Sequence, residues 1–208
     1  MFVQAAEANK NATSIKDALK AWSARNNNED PATAKKVTLL CLMPPIRKMD
    51  NKLCELTACE QLSLSTNAIE RIAPLPGLKN LKILSLGRNN LKRFEKLEDL
   101  AGSLEELWVS YNQIDKLDGL TGMRKLRLIY MSNNNLKSFD ELSKLRDLPA
   151  LEELLLVGNP LYEGYTKEAR RLEVIKRLPK LKKLDAIVIS EVEREQAMGG
   201  GDMQAMSE

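Results

Sequence analysis

The chain has 208 residues, 43% hydrophobic, 29% charged and only 4% aromatic, so its core is aliphatic and sized for one ordinary domain or a short repeat array. Thirty-two basic and 29 acidic residues leave a net charge of +3 with no clustered basic stripe, which argues against nucleic acid as a partner, and no apolar run approaches the ~20 residues of a membrane span. With no histidine and no CxxC pair among Cys41, Cys54 and Cys59, neither a metal nor a cofactor is expected, and the thiols read as reduced residues of the cytoplasm or a compartment continuous with it.

Taken in chain order, residues 1–12 have the composition of a disordered tail and lack the continuous apolar stretch of a signal peptide. Residues 13–34 read as a capping helix and linker. Ser14 is placed as an N-cap with Asp17 three residues on, and Ile15, Ala18, Leu19 and Trp22 share a helix face that can cover the first repeat. The run VTLLCLMPPI (37–46) reads as a degenerate first strand, with Pro44 standing where later units carry Asn.

Residues 35–185 form a repeat array with its C-terminal cap. The pattern L-x-x-L-x-L-x-x-N-x-L recurs around Asn67, Asn89, Asn112, Asn134 and Asn159, at spacings of 22, 23, 22 and 25 residues. A period in the twenties with this pattern is the leucine-rich repeat. The L-x-L pair predicts a short strand with both side chains on one face. The Asn turns the chain out of the strand, and its amide can serve turn backbone groups that would otherwise be buried unpaired. Apolar residues then recur every third position or so, as in Ile69, Ile72, Leu75, Leu78 and Leu81, a spacing that suits a helical or 3₁₀ return arm, with an extra turn available in the 25-residue unit. Leu178, Leu181 and Leu184 close the array. Ser190 can cap a last helix through Met198 (186–198), and 199–208 read as a second disordered tail. The fold class is therefore α/β: a leucine-rich-repeat solenoid with a parallel sheet on its concave face, a helical or 3₁₀ back wall and helical caps at both ends.

No nucleophile elbow, P-loop or dinucleotide fingerprint is present, and the commonest general base is missing, so no catalytic residues are expected. Function is expected on the concave face instead. Alternation places Gln61, Ser63 and Ser65 there, then Ile83, Ser85 and Gly87, then Glu106, Trp108 and Ser110, then Leu128, Tyr130 and Ser132, then Glu153, Leu155 and Val157, with Lys183 and Asp185 beyond. Ile83, Trp108, Leu128, Tyr130, Leu155 and Val157 would make an apolar and aromatic stripe fit for a protein partner. The alternative is that Trp108 folds over its neighbours to patch a thin core. Ser63, Ser85, Ser110 and Ser132 read as a flat row that lets a partner helix approach. The last helix, with Glu191, Glu193, Arg194, Glu195 and Met198, is either a second contact or a simple polar cap.

The segments TSIKDALKAW (13–22), MPPIRKMD (43–50), LSLSTNAIERI (62–72), LSLGRN (84–89), LEELWVSYNQI (104–114) and YMSNN (130–134) together resemble the leucine-rich-repeat light chains of axonemal outer-arm dynein, within the Sds22-like repeat class. The resemblance covers residues 13–198. It implies a non-catalytic subunit in the ciliary or flagellar axoneme that binds a dynein heavy chain at the microtubule-binding end of its motor domain and tunes motility; contact with tubulin is also associated with the family. It further implies that Trp108 and the stretch from Asp185 through Arg194 to Met198 belong to the binding surface. An Sds22-like scaffold for a protein phosphatase or another cytosolic partner is the alternative.

Overall fold

The computed structural model describes residues 12–199, so the expected tails at 1–12 and 199–208 lie outside the described residues except for Ala12 and Gly199. The repeats build one eight-stranded sheet in strict chain order: β1 (Lys36–Thr38), β2 (Gln61–Ser63), β3 (Ile83–Ser85), β4 (Glu106–Trp108), β5 (Leu128–Tyr130), β6 (Glu153–Leu155), β7 (Lys183–Leu184) and β8 (Ile187–Val188). Neighbours from β1 to β7 are parallel, and β8 turns back antiparallel on β7. Each of β1–β6 has three residues, and an Asn turn follows each of β2–β6. The register sets Val37, Leu62, Leu84, Leu107, Ile129, Leu154 and Leu184 side by side as one buried row, the spine of a core that runs the length of the solenoid.

The Asn ladder forms in every unit. Each Nδ2 donates to a carbonyl of its own turn and to one of the preceding unit, while Oδ1 accepts a backbone N–H of the preceding unit: Asn112, for example, bonds Val109 O, Leu86 O and Leu91 N at 2.9, 3.0 and 2.9 Å. Asn67, Asn89, Asn134 and Asn159 repeat this scheme. Leaving such a buried group unpaired costs about 1–3 kcal/mol. The residue before each ladder Asn takes a left-handed backbone, at Thr66, Arg88, Tyr111, Asn133 and Gly158, which aims the amide inward.

The first unit departs from the expected strand over 37–46. Only Lys36–Thr38 is strand, and the path from Val37 to Ile46 is two residues longer than that from Leu62 to Ile69. Asn67 still receives Ile46 N as Asn89 receives Ile69 N, so Pro44 does occupy the ladder slot counted back from Ile46. Pro has no amide to offer, and Asn67 alone serves Leu39 O and Ile46 N.

The back wall mixes 3₁₀ segments with plain turns. Asn51–Glu55, Glu98–Leu100, Phe139–Leu145 and Pro160–Tyr162 are 3₁₀, the longest falling in the 25-residue unit with Ser138 as its N-cap. The arms after Asn67 and Asn112 carry no helix. Carboxylates of the next unit bind their backbone amides instead, Leu75 N donating to Asp99 and Leu117 N to Glu141.

One regularity crosses the whole array. The residues immediately before the strands are Lys35, Glu60, Lys82, Glu105, Arg127, Glu152 and Lys182, so charge alternates from one unit to the next. Their carbonyls knit the units together, Lys82 O for instance receiving both Glu105 N and Glu106 N, and Glu60 pairs with both Lys35 and Lys82 at 3.3 and 2.7 Å. Arg127 approaches Glu105 and Lys182 approaches Glu152 in the same way.

Helices close both ends. At the front, α1 (Ile15–Arg25) is capped by Ser14 and buries Ile15, Ala18, Leu19 and Trp22, as expected. At the back, α2 (Lys167–Arg177) packs against α3 (Glu191–Gly199). Among the described residues no helix is long and apolar enough to cross a membrane.

Candidate protein-binding face

Strands β4 to β6 carry the features that distinguish this sheet. Trp108 and Tyr130 are register partners at the ends of β4 and β5, with ring centroids 5.8 Å apart and planes tilted by 34°. Trp108 is 39% exposed and Tyr130 half-buried, beside half-buried Leu155 and exposed Val157. Ile83 lies half-buried on β3. Five of the six apolar positions expected on this face therefore keep some contact with solvent.

Leu128 does not. It is only 6% exposed, and Glu106 only 9%. In register Leu128 sits between Glu106 and Glu153. The Trp108 indole N–H donates back along its own strand to Glu106 Oε2 at 3.1 Å, and the Tyr130 hydroxyl donates to Glu153 Oε1 at 2.8 Å. Both rings thus lean toward the row that holds Leu128. Trp108 thus bends back onto Glu106 while keeping 39% of its surface in solvent.

Electrostatics complete the cluster. Glu106 is also paired with Arg127, and Glu153 with Lys183 at 3.1 Å. Burial, then the bond to Glu153, pushes the Tyr130 hydroxyl up to about 12, so the phenol stays protonated as donor. The serine row is also redrawn. Ser63 and Ser85 pair with Trp108 in one row, whereas Ser110 and Ser132 lie in the next with Ser65 and Gly87, because the expected row took positions from two different rows. Ser65 bonds Ser85 at 2.7 Å, and Ser132, which is buried, bonds Ser110 at 2.9 Å.

The residues placed beyond the strands are tied into the cap. Asp185 receives Leu156 N and Val157 N at 2.7 and 3.1 Å and the Tyr162 hydroxyl at 2.9 Å, so its carboxylate ends the ladder rather than facing outward. Burial and this carboxylate hold the Tyr162 hydroxyl well above its ordinary range. Arg194 donates to the carbonyls of Pro179 and Leu181, and Met198 is exposed. Arg127, Arg171 and the exposed pair Ile187 and Val188 were missed. The alternating charges before the strands point to Arg127, and Arg171 shares the helical stripe of Val174, Ile175 and Leu178.

Comparison with known proteins places this chain in a family. A protein of Ciona intestinalis named dynein axonemal light chain 1 is 60% identical over 185 residues, covering 88% of this chain and 97% of its own. The proteins of the same name from Rattus norvegicus and Chlamydomonas reinhardtii are 57% and 54% identical over 188 and 190 residues, each covering 89% of this chain and 98% and 96% of their own. The chain belongs to the dynein axonemal light chain 1 family. For this light chain the resemblance carried by MPPIRKMD and LEELWVSYNQI therefore holds. Residues 109–186 also match the NXF1/2/3/5 leucine-rich repeat domain. Among solved structures, the Drosophila melanogaster SNF/U2A′ complex matches with a TM-score of 0.65 at 24% identity, covering 74% of this chain and 92% of that one. An internalin (inlF) of Listeria monocytogenes matches with a TM-score of 0.53 at 25% identity, covering 68% and 38%. Both support the solenoid fold of the light chain.

Proposed function

We propose that this light chain is a non-catalytic subunit of the axoneme that docks on a dynein heavy chain, near the microtubule-binding end of its motor domain, and tunes ciliary or flagellar motility. The observation that carries this reading is the open Trp108–Tyr130 pair on the concave sheet of a chain 57% identical to a protein named for axonemal dynein. Large aromatic rings beside aliphatics, ringed by paired charges, have the anatomy of a binding hot spot. Trp108, Tyr130, Leu155 and Val157 supply the apolar contact, and Ile83 extends it toward β3.

Calorimetric titration of a heavy-chain motor fragment that retains the microtubule-binding domain tests the reading. Trp108→Ala should weaken binding by about 30-fold or more while circular dichroism stays unchanged. Unaltered affinity would remove the site. Affinity capture from ciliated cells that returns a phosphatase and no dynein heavy chain would overturn the partner in favour of an Sds22-like scaffold.

A further inference from the structure

We infer that Glu106 is a positioning residue of the docking face: it fixes the attitude of the Trp108 ring from beneath and does not touch the partner. The inference rests on the reading of the concave sheet as that face.

A carboxylate at a buried strand position is unfavourable unless its oxygens are occupied. Both oxygens of Glu106 are. Oε2 receives the Trp108 indole N–H at 3.1 Å, and Oε1 receives the Arg127 guanidinium. With 9% exposure and a donor already on each oxygen, Glu106 offers a partner little accessible surface. Glu106 and Trp108 are two residues apart on one strand, so both side chains stand on the same side of the sheet and the indole can fold back onto the carboxylate. The same device recurs two strands on, where Glu153 at the start of β6 takes the Tyr130 hydroxyl at 2.8 Å and is balanced by Lys183 at 3.1 Å.

Recognition is shaped in two ways. The polar edges of both rings are already consumed, so a partner meets ring faces and aliphatic carbon rather than an indole or phenol donor. The ring torsions are also set before binding, which reduces the ordering cost of association. Glu106 thereby acts on affinity through Trp108 alone.

Two measurements on the full chain test this. The first needs no partner. In a Trp22→Phe background Trp108 is the sole tryptophan, and its emission anisotropy reports the motion of that ring. Glu106→Ala should lower the anisotropy, and Glu106→Gln, which keeps an acceptor for the indole N–H, should restore most of it. The second is titration with the heavy-chain motor fragment. Glu106→Ala and Trp108→Phe, which retains a ring but lacks the N–H, should each weaken binding by about 5- to 10-fold, and the double variant no more than the weaker single. Unchanged anisotropy in Glu106→Ala, or losses that multiply in the double variant, would overturn the positioning role. Lowered anisotropy in Glu106→Ala together with normal binding by Trp108→Ala would leave Glu106 as the anchor of that ring and refute the docking reading alone.

Discussion

The two ends of the solenoid solve one problem with different chemistry, the back adding a buried ion pair that the front lacks among the described residues. Each must shield the last row of leucines from water. The front does so with an apolar helix face, Ile15, Ala18, Leu19 and Trp22, and among the described residues no ion pair ties α1 to the array. The back also buries apolar residues, Val174, Ile175, Leu178 and Ala197, but sets a buried arginine among them. Arg171 is 6% exposed, donates to Glu193 Oε1 at 2.6 Å and to Leu184 O at 3.0 Å, and so fastens α3 to α2 and to the end of the sheet. Glu193 is held from its other side by Ser190, whose N–H and hydroxyl donate to Oε2 at 2.9 and 3.0 Å and whose oxygen caps the helix by receiving Glu193 N at 3.2 Å. The difference implies that the apolar front cap carries no titrating contact of its own, whereas the charge pair at the back is conditional on pH, even in a chain with no histidine.

Breaking the front cap should have the largest effect on this contrast. Trp22→Ala removes a buried indole and should cost about 4 kcal/mol, read as a lowered urea midpoint and as accelerated hydrogen exchange that starts at β1 and fades along the array. Breaking the back cap comes next. Arg171→Ala strands Glu193 and should cost about 3 kcal/mol, at the low end for a buried pair because Glu193 keeps some access to water. Its mark is fast exchange across α3 with β1–β5 still protected. Acid should give the smallest effect, and of the two caps it should reach the back one. The Arg171 N–H, with help from Ser190, holds the Glu193 carboxyl down to about 2 from its ordinary 4.5. A lowered folded value means that the pair's contribution is complete above about pH 4.5 and drains away as pH falls toward 2. Exchange measured down that window should loosen α3 before α1; the reverse order would refute the assignment of the two caps.

Legibility in the sequence divides along the same line, between local and distant causes. The Asn spacing, the Ser14 and Ser190 caps and the extra 3₁₀ turn at Phe139–Leu145 are each decided within one unit, and the structure holds them where the pattern puts them. Alternation gave the side of the sheet for every strand residue but not its cover. Leu128 points to the concave side and is still buried, in register between Glu106 and Glu153, to which the neighbouring rings bond. Arg171 shares the apolar stripe of its helix, but nothing local names its partner, which α3, 20 residues further on, brings to it as Glu193. The two-residue expansion before Pro44 was invisible because a degenerate strand and a long turn have the same composition.

The alternating row from Lys35 to Lys182 constrains how such an array can change its length. Excising any one interior unit, or copying it in tandem, would bring two like charges abreast, which disfavours the joint, while removing or copying two adjacent units keeps the signs in step. The electrostatic module of this molecule is therefore a doublet, twice the size of its structural one, and grafts or truncations that respect that parity should knit more cleanly than those that do not.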